Sequence, residues 1–415
     1  MSKLALLGGE PVRRKPWPIW PDPREEDVRA VAEVVGSTKW WEYAGDNVHA
    51  FEREFAAYQE ARAGVAMNSG TTALMVGLQA LGIGPGDEVI VPAYTFVATA
   101  SSVLLANAVP IFADIEPTTA NLDPEDVARR ITPRTRALLP VHIAGLPADM
   151  TRLQTLADQH GLVVLEDCAQ AHGAVWRGRK VGSIGDAGMF SFQGGKNLCS
   201  GEGGIIVTSD PKVEAVAAAI SDCGRAAGRP FYEHHHIGSN YRLTELQAAL
   251  LRSRMRTLEE ETDRRFRNGR ALTEGLAQLP GLLPLDRAPH PGDRRAYLFY
   301  PLCLQSEVFD GVSRARIVEA LTAEGIPNVP GYGGPLYTNP VFQEQHLNPH
   351  GCPVSCGYYK GSVDYRETSC PAAEELCRHT VWVLQTVLLG GPEDVADVVR
   401  AFEKIVAHRR DLVVS

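Results

Sequence analysis

The stretch AGMFSFQGGKNLCSGEGGIIVTSD (residues 187–210) contains two short apolar runs, AGMFSFQ and GGIIVTSD, joined by a glycine-rich loop that carries Lys196. Runs this apolar, without polar alternation, are expected of strands covered on both faces. Five more lie upstream: GVAMNSG (64–70), EVIVPAYTF (88–96), VPIFADI (109–115), ALLPVHIAG (137–145) and LVVLEDCAQ (162–170). Helical patterns such as TALMVGLQAL (72–81) and DMTRLQTLADQHG (149–161) separate several of them. Strands alternating with helices predict an α/β fold, with a mostly parallel seven-stranded sheet sandwiched by helices. Ligands of such sheets bind beyond the carboxyl ends of the strands, so the polar residues there are the ones to weigh.

Downstream, a long helical pattern covers roughly 243–278, followed by a hairpin-like YLFYPLCL (297–304) and a helix SRARIVEALTAEG (313–325). A stretch rich in Gly, Pro and Tyr (326–365) follows, and the helix PEDVADVVRAFEKIVAH (392–408) comes near the end. This pattern predicts a large α/β domain over 1–250, then a linking helix and a smaller α+β domain over 251–415. Of 415 residues, 41 are Lys or Arg and 50 Asp or Glu, a net charge of −9 without a basic stripe, which argues against a nucleic-acid binder. No apolar stretch approaches the roughly 18 residues of a membrane helix. The opening MSKLALLGGEP has only a four-residue apolar run (Leu4–Leu7), too short for a signal-peptide core, so a cytoplasmic location is expected. The eight cysteines are scattered. Cys352 and Cys356 lack the second pair that a zinc site needs, and three consecutive histidines (234–236) point apart in an extended segment, so no metal is expected.

Lysine is scarce: eight residues, seven of which read as surface charges. Lys196 stands apart because it follows a strand in a glycine-rich loop. A phosphate-binding loop of the form G-x4-G-K-[ST] fails, because Phe190 occupies the first glycine position and Asn197 follows the lysine. A dinucleotide fingerprint fails too, because the glycines of GEGG (201–204) precede a strand. A Schiff-base lysine remains, alongside an ordinary loop lysine. Its partners would be those that pyridoxal phosphate needs. Asp167 ends the run LVVLED, where a carboxylate faces a ring nitrogen or simply caps the next helix. Gly70, Thr71 and Thr72 open a helix after a strand and offer N–H groups and hydroxyls to a phosphate, or a plain helix cap. Ser191 adds a hydroxyl.

The chain resembles the DegT/StrS-type sugar aminotransferases, fold-type I pyridoxal-phosphate enzymes, over nearly its whole length. The resemblance rests on WWEYAGDNVHAFEREFAAY (40–58), NSGTTALMVGLQALGIGPGDEVIVPAYTFVATA (68–100), PVHIAGLPADM (140–150), EDCAQAHGA (166–174), SFQGGKNLCSGEGG (191–204) and GSNYRLTELQAA (238–249). It implies that Lys196 carries the cofactor and that Asp167 pairs with its ring nitrogen. It also implies that Gln170 lies near the phenolic oxygen, that Phe96 stacks on the ring, and that Gly70, Thr71 and Ser191 touch the phosphate. Asn240 is implied to reach the phosphate from a second subunit, so that a homodimer shares its active sites. CSGEGG stands where related sequences often carry TAGEGG.

The implied reaction is transamination from L-glutamine or L-glutamate to a ketone. LGGEPVR (7–13) and NVPGYGGPLYTNPVF (328–342) look most like the keto-cyclitol branch, with acceptors such as scyllo-inosose, in antibiotic biosynthesis. Nucleotide-linked keto-sugars are the alternative acceptors. KWWEYAGD (39–46) resembles the aminohydroxybenzoate synthases, which use the same lysine for dehydration. A noncatalytic cofactor-binding regulator would keep the same fold. Arg13 and Arg14 read as solvated surface.

Overall fold

Two helices, α1 (Glu25–Ser37) and α2 (Asn47–Tyr58), precede the main sheet in the computed structural model, which describes residues 3–286, 290, 292–344 and 351–413. The chain then runs through β1 (Ala63–Met67), α3 (Gly70–Ala80), β2 (Glu88–Pro92), α4 (Val97–Leu105), β3 (Val109–Ala113), α5 (Pro124–Arg130), β4 (Thr135–Leu138), α6 (Met150–His160) and β5 (Val163–Asp167). A small ribbon, β6 (Val175–Trp176) and β7 (Arg179–Lys180), leads into β8 (Ala187–Ser191), β9 (Gly204–Thr208) and α7 (Pro211–Ser221). The seven apolar runs thus form one sheet in the order β1-β9-β8-β5-β4-β2-β3. It is parallel from β3 to β8, and β9 runs antiparallel to both β8 and β1.

Successive strand residues point to opposite faces, and both faces are covered. Val89 and Val91 join one apolar cluster while Ile90 joins another, and Ile206 is likewise opposed to Ile205 and Val207. That double coverage explains why the strands read as unbroken apolar runs.

The long helix α8 (Glu245–Leu276) begins at a capping box between Thr244 and Gln247. Its buried Glu245 accepts the N–H groups of Asn47 at 2.8 Å and Val48 at 2.9 Å, so the first residue of α8 satisfies the free N-terminus of α2. Beyond it, β10 (Leu282–Pro284), β11 (Phe299–Leu304), α9 (Arg314–Ala323), β12 (Asn328–Pro330), α10 (Pro340–Gln343), α11 (Pro371–His379), β13 (Thr380–Leu384) and α12 (Pro392–Ala407) follow. The four strands make an antiparallel sheet in the order β10-β11-β13-β12. The expected hairpin at 297–304 is instead the single strand β11; its partners β10 and β13 come from elsewhere in the chain. The Gly/Pro/Tyr-rich stretch packs onto the main sheet: Tyr359 donates to Glu88 at 2.7 Å and Tyr365 to the Pro110 carbonyl at 3.1 Å. Among the described residues, no helix is long and apolar enough to cross a membrane.

Two surface expectations are overturned. Arg13 is 5% exposed and pairs with Asp394 at 2.6 Å and Asp397 at 2.8 Å, its guanidinium 3.6 Å from the Trp17 ring centroid. Lys404 is also buried, bonded to the Glu10 carbonyl at 2.7 Å and to Glu324 at 2.9 Å. Glu324 in turn accepts the N–H groups of Ala5 and Val12. These pairs clamp the N-terminal segment against α9 and α12, and a buried cation is tolerated where the partners are that complete. Arg14 does lie on the surface, paired with Glu10.

Candidate active site

Because β1 and β8 each run antiparallel to β9, β1, β2, β4, β5 and β8 all end at the same edge of the sheet. A cavity of about 460 Å³ opens there. Gly70, Thr71, Phe96, Asp167, Gln170, Ser191 and Lys196 all line it, with Thr95, Thr99, Gln193 and Glu202. Seven of the nine residues singled out from the sequence therefore converge in one place; Thr72, next along α3, does not line the cavity. Asn240 does not line this cavity; it lies exposed, bridged to Asp222.

Asp167 closes the floor. It is 4% exposed; its Oδ2 accepts from the Thr99 hydroxyl at 2.9 Å and its Oδ1 from the Ala169 N–H at 3.1 Å. Burial pushes the carboxyl above its usual range, while Ala169, Thr99 and nearby Lys196 pull the other way. Lys196 shows the mirror effect: burial holds its ammonium below the usual lysine range, opposed by Asp167.

At the other end, Gly70 and Thr71 are the first residues of α3, whose N-cap Ser69 accepts from the Thr72 N–H at 3.1 Å. Their own N–H groups precede the first intrahelical acceptors and face the cavity end. A Cβ on Gly70 would lie 2.7 Å from the Ser191 Cβ, so only glycine lets the helix start approach that hydroxyl. Gln170 holds the far wall, its Oε1 accepting from the Ala144 N–H at 2.6 Å and its Nε2 donating to the Tyr332 hydroxyl at 3.4 Å. Phe96 caps α4 and is 59% exposed at the cavity rim, so it is no core residue.

Sequence reading missed the groups that hold these residues in place. Thr99, one turn into α4, had no signal beyond its hydroxyl. The lysine loop is tied by Trp20 Nε1 to the Lys196 carbonyl at 3.0 Å, by Gln385 Nε2 to the Gly195 carbonyl at 2.8 Å and by Asn197 Nδ2 to the Ala296 carbonyl at 2.8 Å. Each spans about a hundred residues or more, so no local pattern announces it. A second network lies deeper: Glu166 accepts from His142 and from the N–H groups of Gly182, Ile184 and Gly185. That saturated carboxylate, with Cys168 beside it, orders the turn before β8.

His172, also unremarked in the sequence, is fully buried among Phe55, Phe190 and Phe192, and burial pulls its pKa down to about 3. The unfolded chain therefore binds a proton near pH 6.5 that the folded chain refuses, and stability is lost as pH falls from 6.5 toward 3. Between pH 8 and pH 5 the loss from this group is about 2 kcal/mol. His172→Phe is expected to remove that part of the acid dependence, read as urea unfolding at the two pH values; an unchanged difference between them would refute the assignment.

A family model described as the DegT/DnrJ/EryC1/StrS aminotransferase family matches residues 21–403. The chain belongs to that family. It is 40% identical over 428 residues to an L-glutamine:2-deoxy-scyllo-inosose aminotransferase of Streptomyces fradiae, covering 99% of both chains. A Streptomyces paromomycinus protein of the same name is 39% identical over 420 residues, 98% of each chain. Among solved structures, 3-amino-5-hydroxybenzoic acid synthase superposes with a TM-score of 0.85 at 33% identity, covering 95% of this chain and 100% of that one.

This aminotransferase is a fold-type I enzyme that depends on pyridoxal phosphate. The cavity fits the cofactor. A helix start that only glycine can bring against a serine hydroxyl suits the phosphate. A buried carboxyl raised by desolvation suits a cationic ring nitrogen, whose charge would restore the ionised form.

Proposed function

We propose that this enzyme transfers the amino group of L-glutamine to the ketone of a cyclitol such as 2-deoxy-scyllo-inosose or scyllo-inosose, in aminocyclitol antibiotic biosynthesis. The observation that carries this reading is the near-full-length identity to two enzymes of that name, together with a cavity that gathers Lys196 and Asp167. When bound, pyridoxal phosphate supplies an electrophilic carbonyl and a protonated ring that accepts the electron pair left at the substrate carbon. The chain's residues do the rest.

Lys196 Nζ would hold the cofactor until a donor arrives and would then move the proton at the donor's α-carbon; amination of the acceptor would use the same amine in the reverse sense. A half-buried amine, held below the usual lysine range, is more readily available as a base near neutral pH. Asp167, fixed by Thr99 and Ala169, keeps a proton on the ring nitrogen. Gly70, Thr71 and Ser191 would hold the phosphate, Gln170 would stand by the phenolic oxygen and Phe96 would cover the ring. The eight cysteines carry no disulfide, which suits the reducing cytoplasm.

The reading includes a homodimer in which Asn240 of one chain reaches the phosphate of the other. Asn240 sits near an exposed aromatic patch, where Trp41 and Tyr43 rings lie 4.7 Å apart, Tyr43 and Phe231 5.5 Å, and Phe231 and Tyr232 5.2 Å. Ile237, three residues before Asn240, is fully exposed. Apolar patches of this kind mark interfaces. Mixing Asn240→Ala with Lys196→Ala chains is expected to recover activity in hybrid dimers, since one of the two shared sites then carries neither lesion; no recovery would refute the sharing.

The function is tested by following the absorption spectrum of the holoenzyme on adding L-glutamine, then adding each ketone and identifying the product by mass spectrometry. The expected result is bleaching by glutamine, recovery with the cyclitol ketone and an aminocyclitol product. Recovery only with a nucleotide-linked keto-sugar would overturn the acceptor. Loss of water without amine transfer would indicate the aminohydroxybenzoate chemistry, and a spectrum inert to every donor a cofactor-binding regulator.

A further inference from the structure

Arg265, in the middle of α8, is fully buried, and none of its three guanidinium nitrogens has a hydrogen-bond partner. Its nearest carboxylate, on Glu261, is 3.6 Å away and is already bonded to Arg24 and to the Thr257 hydroxyl. A buried guanidinium with one distant ion pair and no hydrogen bond is costly and gains from a further contact. The contact present is an aromatic face: the Arg265 guanidinium lies 4.8 Å from the Trp20 ring centroid. A second guanidinium, Arg254, lies 5.1 Å from the same centroid and is pinned by Asp27 at 2.8 Å and Asp22 at 2.9 Å. Arginine is the weakly hydrated cation that favours this stacking.

The indole that these cations contact does one further thing: its N–H donates to the carbonyl of Lys196 itself. Trp20 sits at the end of the N-terminal segment, which is clamped at the far side by Arg13 on Asp394 and Asp397 and by Trp17 Nε1 on the Gly325 carbonyl at 2.7 Å. The preceding carbonyl, that of Gly195, is held by Gln385, just beyond β13. The two peptide groups that aim the lysine are therefore fixed from outside the main sheet. Within the loop the Lys196 N–H donates to the Gln193 carbonyl at 2.8 Å, so these outside contacts add to a local turn, and a misplaced reacting atom is expensive in rate.

We infer that Trp20 is a positioning residue for Lys196, holding the lysine's backbone through the indole N–H, and that Arg265 acts through Trp20 as its buried support. The inference rests on the assignment of Lys196 made above. It places a specificity for tryptophan at position 20 that neither burial nor aromatic character alone explains: the ring packs, but the N–H works.

Trp20→Phe keeps an aromatic face for both guanidinium groups and removes only the indole N–H. Hydrogen exchange in peptides covering 193–201, measured on the cofactor-free protein, is expected to accelerate about tenfold, with other peptides unchanged. In the holoenzyme kcat per bound cofactor is expected to fall about tenfold with the KM for glutamine within twofold; counting sites by bound cofactor, with the urea unfolding midpoint unchanged, separates this from a loss of folded enzyme. Arg265→Met is expected to move both readouts in the same direction, and the double variant to be no worse than Trp20→Phe alone. Exchange and kcat both at wild-type levels in Trp20→Phe would overturn the inference, and fully additive effects in the double variant would overturn the role of Arg265. Lys196→Ala, tested in parallel for borohydride-fixed cofactor, separates the two failures: a retained adduct removes the lysine assignment, whereas a lost adduct with a normal Trp20→Phe removes only this inference.

Discussion

Lys196→Ala is expected to lower kcat/KM by about 10⁴-fold and to leave borohydride unable to fix the cofactor to the chain. The size follows from the two tasks proposed for Lys196, nucleophilic attachment of the cofactor and proton transfer at the substrate carbon. No second amine is placed to take either over: among the described residues lining the cavity, Lys196 is the sole lysine. Folding is expected to be unharmed, because removing a half-buried ammonium held below the usual lysine range relieves desolvation. The measurement is activity together with mass spectrometry after borohydride. A reduced adduct persisting on another lysine would displace Lys196 from its role.

Asp167→Asn is expected to cost about 10²–10³-fold in kcat, the range seen when one preorganised electrostatic group is removed from a transition state. The amide is nearly the same size and still accepts from Thr99 or Ala169, so cofactor binding and fold are expected to persist. What it loses is the negative charge that keeps a proton on the ring nitrogen. The burial that now pushes the Asp167 carboxyl upward is the same burial that would make an uncompensated ring proton unstable. The check is kcat against cofactor content. A variant that retains full cofactor and full kcat would show that the ring proton is not what Asp167 supplies, whereas a variant that loses cofactor would assign it to binding.

The main sheet was legible because its signal is local. A strand buried on both faces reads as a continuous apolar run, and β2, β8 and β9 are buried at every position, with their polar residues Glu88, Ser191 and Thr208 only at strand ends. Ser69 and Gly70 mark the start of α3, and Thr244 with Gln247 marks the start of α8, within four residues of each boundary. The smaller sheet was harder. β10 and β12 are three residues each, and β13 lies directly after α11 with no turn residue between them, so YLFYPLCL was read as folding on itself. Its real partners lie upstream, across a loop, and nearly eighty residues downstream, a pairing that only the packed core selects.

The same division runs through the site. Gly70 and Asp167 are legible because they close apolar runs, Thr71 because it opens a helix after one, and Lys196 because it stands in a glycine-rich loop after a strand, with the Ser191 hydroxyl five residues before it. Their convergence follows from topology, since parallel strands deliver their carboxyl ends to one edge. Sequence by itself determined that there is such an edge and which reactive groups stand along it. Tertiary structure alone decided that Arg13 and Lys404 are buried ion-pair partners, that Thr99 holds Asp167, and that Trp20 and Gln385 hold the lysine loop. The physical reason is the reach of each interaction. Periodicity and capping are written in the few residues that form them. A hydrogen bond between Trp20 and Lys196, or an ion pair between Arg13 and Asp394, joins segments 176 and 381 residues apart, and nothing at either end distinguishes it until the core has brought them together.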